Sequence, residues 1–160
     1  MTFDRTRGDA HDATAPRLLA ACQTHYGERL WTVAVFGSTG RGTERPDSDL
    51  DCLVVADGLP QGRLARVLDF QAVESLLPKA IGDRLSPLFK TPAEVEAGSP
   101  LFLDMITDAR LLFDRDHLFQ RRLDRLRARL DDLGAKRHWL GSAWYWDLKP
   151  GYRPGDVIEL

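Results

Sequence analysis

The chain has 160 residues, 43% hydrophobic and 29% charged, with a formal charge of −2 at pH 7. That length suits one ordinary domain, able to bury roughly two-thirds of its unfolded surface without a disulfide or a metal. The near-neutral charge excludes a global basic field for gripping nucleic acid or an anionic membrane, and the longest apolar stretches fall far short of the roughly 20 residues of a membrane span.

In chain order, the start MTFDRTRGDAHDA is polar and lacks the apolar stretch of a signal peptide, so residues 1–14 read as a frayed leader and the expected compartment is the cytoplasm. From Pro16 to Leu30, the residues Leu18, Leu19, Cys22, Tyr26 and Leu30 recur at helical spacing. Trp31 to Phe36 is a β-rich run stopped by Gly37, and Leu50 to Ala56 is a second strand closed by Asp57-Gly58. Gln61 to Leu77 predicts a helix ended by Pro78 and Gly82, and Arg84 to Lys90 a third strand that Pro87 confines to an edge or a bulge. Thr91-Pro92-Ala93-Glu94 has the cap, the first-position proline and the acid of a capping box. A short helix (SPLFLDMIT) follows, then a strand over 110–113. Asp114 or Asp116 is then placed to cap a long helix with the stripe Leu118, Leu123, Leu126, Leu130 and Leu133.

The end of the chain is an aromatic, proline-punctuated tail, expected to fold back over the core rather than leave Trp139, Trp144, Tyr145 and Trp146 exposed. Alternating strands and helices give a small α/β or α+β domain over 1–160, with a core at about 15–115 and a C-terminal helix and tail over 116–160. The arginine-rich stretch at 121–129 reads as a solvated helix face, because leucines and aspartates interleave it. Cys22 and Cys52 read as buried thiols, and the histidines at 11, 25, 117 and 138 show no ligand spacing.

Chemistry concentrates in VAVFGSTGRGTERPDSDLDCLVV. A P-loop fails because Thr43 stands where its lysine belongs, and a dinucleotide fingerprint fails because Arg45 replaces the third glycine. An EF-hand begun at DSDLD would need glycine where Cys52 stands and glutamate where Gly58 stands. What remains is Gly37-Ser38, ten residues, and Asp49-Leu50-Asp51 opening a strand. Residues two apart in an extended chain share a face, so Asp49 and Asp51 project together while Leu50 turns inward. Two adjacent carboxylates repel unless a cation lies between them, and Mg²⁺ takes one or two carboxylates and completes its octahedron with water and phosphate oxygens. Gly37 permits close approach of a ligand, Ser38 offers a hydroxyl and an N–H, and Arg41 offers a cation. The set has the parts of a two-metal transfer site.

GSTGRGTERPDSDLD resembles the signature of the minimal nucleotidyltransferases, compact members of the DNA polymerase β-like superfamily. The resemblance covers about residues 15–115, and the ending WDLKPGYRPGDVIEL is a weaker second match. It implies the nucleotidyltransferase fold, a small mixed sheet flanked by helices. It also implies Mg²⁺ and a nucleoside triphosphate donor, with Gly37 and Ser38 as the phosphate-binding pair and Asp49 and Asp51 as metal ligands. ATP as the donor follows from the family and from cellular abundance. The family further implies a protein acceptor, a HEPN-type toxin adenylylated on a hydroxyl by its antitoxin; that direct nucleic-acid binding is not expected follows from the small net charge instead. One departure stands out: the third carboxylate of fuller sites falls on RLSPLFK, where Ser86 occupies the place and Asp83 is the nearest substitute. Two alternatives follow: a degenerate member that neutralises a partner by docking alone, or a small-molecule transferase of the aminoglycoside-modifying type, whose acceptor pocket an oligomer would have to build.

Overall fold

The computed structural model describes residues 13–42, 45 and 47–160. Most of the expected leader, with His11, and Thr43 of the glycine turn lie outside the described residues.

The first helix, α1 (Thr14–Tyr26), buries Leu18, Ala21, Cys22 and Tyr26. It ends earlier than its leucine spacing predicts. Gly27 takes φ 55° and a 3-10 turn follows, so Leu30 begins the first strand instead of closing the helix stripe. The sheet is formed by β1 (Leu30–Val35), β2 (Leu50–Ala56), β3 (Leu85–Lys90) and β4 (Arg110–Asp114), in the order β3-β2-β1-β4. β1 pairs antiparallel with β2 and β4, while β2 and β3 run parallel. Pro87 therefore sits on an edge strand, where its missing N–H costs no ladder bond on the open side.

Both faces of the sheet are covered, which explains why LDCLVVA is nearly continuously apolar. On one face Val33, Val35, Leu50, Cys52 and Val54 pack with α1 and with Phe70 and Val73 of α3 (Arg63–Glu74). On the other, Ala34, Leu53 and Val55 meet α5 (Pro92–Ala97), α6 (Phe102–Asp108) and α7 (Leu118–Leu133). Between β1 and β2 lies the short α2 (Gly37–Arg41); the helix predicted over 61–77 is α3, shorter at both ends, and a further single turn outside that prediction, α4 (Lys79–Gly82), follows Pro78.

Two caps fix the second layer. Thr91 and Glu94 form the reciprocal capping box, and Glu94 also accepts a two-pronged bond from Arg66 at 2.8 and 2.9 Å. This ties α5 to α3 across the edge of the sheet. Asp114 caps α7 from the end of β4: its carboxylate accepts the N–H groups of Phe119 and Gln120 at 3.0 and 2.9 Å, and the Thr32 hydroxyl at 2.8 Å. Asp116, the other candidate, sits in the left-handed region at φ 53°. Along α7, Leu118, Phe119, Leu123, Leu126 and Leu130 are buried; complete burial of a phenylalanine such as Phe119 stabilises by roughly 1.5–3 kcal/mol.

The arginine-rich stretch is only partly the solvated face its composition predicts. Arg122 is buried and donates to the Val95 and Leu160 carbonyls, because its neighbours on the helix face the core. The tail forms a hairpin that sequence reading did not foresee, β5 (Lys136–Leu140) with β6 (Ala143–Asp147). It folds back in part. Trp146 packs against the α6–α7 core, while Trp139 and Tyr145 are more than half exposed. No helix among the described residues is long and apolar enough to cross a membrane.

Candidate active site

The ladder between β1 and β2 builds the site. It continues one residue past β1, where the Phe36 N–H donates to the Asp51 carbonyl at 3.0 Å. The chain then turns into α2, so Gly37 lies directly against the Asp51 side chain. Gly37 adopts φ 65°, and a Cβ placed there would lie 2.6 Å from Asp51 Oδ2. A glycine is needed here for both reasons. Gly40 answers a second crowding: a Cβ on it would meet the Asp108 carbonyl oxygen at 1.8 Å, so only glycine lets α2 seat on the end of α6.

Asp49 and Asp51 are held from the other side by Arg84. The Leu50 N–H donates to the Arg84 carbonyl at 2.7 Å, and the Arg84 guanidinium donates back to the Ser48 carbonyl at 2.8 Å, which pins the DSDLD turn to the start of β3. Leu50 is buried in the α1–α3 face, whereas Asp51 is half-buried and lines an open cleft. Burial pushes the Asp51 carboxyl above the ordinary carboxylate range. The charge of Asp49 pushes it further, while a hydrogen bond from Ser86 and the Arg41 cation act in the opposite direction. Asp49 is exposed and within electrostatic reach of Asp51. Ser38 is half-buried in the first turn of α2, next to Gly37.

Ser86 stands opposite Asp51 in the parallel β2–β3 register and its hydroxyl bonds to that carboxylate, at the place where the resemblance puts a third acid. Asp83 does not substitute for it. It is exposed at the end of α4, paired with Lys79, and lines a separate surface recess with Leu85, not the cleft.

The cleft holds about 730 Å³, within the range of small-molecule sites. Gly37, Arg41, Asp51 and Ser86 line one end, while Arg63, Lys90 and the Arg66–Glu94 pair line the other. Arg41 is held by Asp108, at 3.0 Å, and by the Trp144 ring, whose centroid is 5.1 Å from the guanidinium carbon. Sequence reading missed Asp104, Asp108, Arg63 and Lys90. A signal existed for two of them, since Asp104 and Asp108 are four residues apart and so share a helix face.

The donor set suits a hard divalent cation that keeps part of its coordination for substrate oxygens. Among the described residues no cluster of three or more metal-ligating side chains occurs; two carboxylates are what Mg²⁺ takes when phosphates complete its shell. Asp51, crowded by burial and by Asp49, is the group whose charged form such a cation would favour most.

Comparison with known proteins agrees with this geometry. The family model described as "Nucleotidyltransferase domain" matches residues 16–112, more than half of the chain. "Putative protein adenylyltransferase MJ1305" of Methanocaldococcus jannaschii is 30% identical over 111 residues, covering 68% of this chain and 76% of that protein. Among solved structures, a toxin–antitoxin with AMP-PNP superposes with a TM-score of 0.51 at 16% identity, over 75% of this chain and 92% of that one. A complex of a tri-AMPylated Shewanella oneidensis HEPN toxin with its MNT antitoxin gives 0.49 at 13% identity, over 78% and 92%. The glycine turn against the strand-borne aspartate, on a mixed sheet with helices on both faces, is thus the nucleotidyltransferase fold, and the chain belongs to the nucleotidyltransferase domain family of enzymes.

Proposed function

We propose that this protein transfers AMP from Mg²⁺-bound ATP to a hydroxyl of a partner protein, a HEPN-type toxin that it thereby silences as antitoxin in the cytoplasm. The observation that carries the reading is the contact of Gly37 with the Asp51 carboxylate at one end of a cleft of nucleotide size. In this reading Asp49 and Asp51 hold the metal, Gly37 and Ser38 receive the phosphates, and Arg41 faces them as a fixed cation. Mg²⁺, when bound, neutralises phosphoryl oxygens and charge developing on the leaving pyrophosphate. The chain's own residues orient the triphosphate so that the acceptor hydroxyl meets the α-phosphorus opposite the leaving group. The name of the archaeal relative supports a protein acceptor. Incubation of the protein with labelled ATP, Mg²⁺ and a candidate toxin should label the toxin. Equal labelling by the Asp49→Asn/Asp51→Asn double variant would refute the proposal.

Ser86 favours a second reading, in which the fold binds its partner without chemistry. A hydroxyl at the third acid's place neither binds metal strongly nor takes a proton. The same double variant separates the two. Full neutralisation of the toxin by it supports docking alone, and loss of neutralisation supports transfer.

A further inference from the structure

We propose that Trp144, on the C-terminal hairpin, is a positioning residue for nucleotide binding that acts through Arg41. This rests on the reading of the cleft as an ATP site. The hairpin lies outside residues 16–112, the span matched by the family model, yet Trp144 lines the cleft. Its ring lies against the Arg41 guanidinium, and Asp108 accepts from Arg41 Nη1. A planar cation held on its face by an indole and at its edge by a carboxylate is restrained both in tilt and in rotation within its own plane. The Asp108 bond uses one of the five N–H donors of the guanidinium.

Trp144 is itself fixed. Its Nε1–H donates to Asp104 Oδ1 at 3.0 Å, and the neighbouring strand sends Arg137 to the Thr107 hydroxyl at 3.0 Å. α6 thus carries three consecutive attachments: Asp104 for Trp144, Thr107 for Arg137, and Asp108 for Arg41. The hairpin is strapped to the helix whose last residue, Asp108, holds Arg41. Arginine is a flexible side chain, and ordering it before the ligand arrives removes that cost from the binding step.

The test is a double-mutant cycle on Mg²⁺·ATP binding, measured by titration calorimetry on the full chain. Trp144→Ala is expected to weaken binding about three- to tenfold, the size of a partly desolvated cation–π contact. Trp144→Phe, which keeps an aromatic face, should recover most of the loss. Tyr145→Ala, on the hairpin's opposite and exposed face, should bind like wild type. In an Arg41→Ala background, Trp144→Ala should add no further loss, because the residue through which it acts is gone. Thermal melting checks that each variant is folded. Should Trp144→Ala unfold the protein, Trp144→Leu, which fills the space without an aromatic face, takes its place in the cycle, with the same outcomes. Wild-type affinity in folded Trp144→Ala would overturn the inference and leave the proposed function standing. Additive losses would also overturn it, since they would mean that Trp144 touches the nucleotide directly. A wild-type protein that binds no ATP would overturn the proposed function and this inference together.

Discussion

Replacing Gly37 with alanine separates two jobs that one residue performs. Its backbone sits at φ 65°, where an L-residue costs roughly 1–2 kcal/mol. For a chain of this length each kcal/mol lowers the melting temperature by about 2–4 °C, so strain alone predicts a fall of about 2–8 °C. The added methyl would stand 2.6 Å from Asp51 Oδ2, whereas ordinary contact begins at 3.4 Å, so the turn and the carboxylate must separate by about 0.8 Å. Misplacing a reacting arrangement by ~1 Å can cost about 100-fold in rate. Gly37→Ala should therefore lose roughly two orders of magnitude in AMP transfer while remaining folded. The assay pairs a melting curve with initial rates of label transfer from ATP to the partner. A variant that melts lower but transfers at the wild-type rate would show that the Gly37–Asp51 contact is structural only.

Three further outcomes follow from the electrostatics and packing. Asp51 holds its proton more tightly in the fold than in the unfolded chain, so its contribution to stability is greatest below the ordinary carboxylate pKa and declines as pH rises through the folded value. Asp51→Asn should accordingly raise the melting temperature of the metal-free protein at pH 7, converge with wild type in acid, and abolish transfer; a lower melting temperature at pH 7 would contradict the cause assigned. Glu94 runs the other way, its carboxyl held below the usual range chiefly by the hydrogen bond from Arg66, so its stabilisation is present above the ordinary value and lost as pH falls through the folded one. The Glu94 carboxylate is two-fifths exposed and so screened by water, and Glu94→Gln should cost about 0.5–1.5 kcal/mol in urea unfolding at neutral pH and less in acid; an equal cost at both would refute the pairing. Burial pushes the Cys22 thiol up to about 12 and the Cys52 thiol higher still, so neither should react with a thiol reagent at pH 8 until the chain is unfolded, when both should.

The parts of the fold legible in sequence were those set by local chemistry. The capping box at Thr91–Glu94, the edge placement enforced by Pro87 and the apolar run of β2 each follow from one residue's bonding capacity or from burial on both faces. The approach of Gly37 to the second aspartate follows from the ten-residue spacing only if the two strands pair in register, as they do. Long-range contacts were not legible. Asp108 reads as an ordinary acid at a helix end, and only the seating of α2 on that end through Gly40 turns it toward Arg41. Leu30 reads as helical because its spacing fits a 3.6-residue period, and a single positive-φ glycine three residues earlier overrides it. The tail hairpin escaped for a related reason. Its alternation is masked by aromatic residues on both faces, so no apolar–polar period marks it as a strand pair.

Two acids instead of three change the work that the rest of the cleft must do. With a carboxylate at position 86, a third negative charge would face Asp51 across the β2–β3 register and raise its proton affinity further, making the metal-free site costlier to fold. The serine does the reverse, since its hydroxyl donates to Asp51 and draws that carboxyl back toward its ionised form. Under the proposed function the site would therefore be more stable before Mg²⁺ binds, and it would offer one carboxylate fewer to share between metal binding and proton removal. In that proposed reaction the acceptor's proton would pass to Asp49 or Asp51, to water, or to a base that the partner brings. The last of these routes would make chemistry depend on the docked partner. Such dependence connects the two functional readings: a protein whose site is finished by its target binds that target first, and transfers only to it.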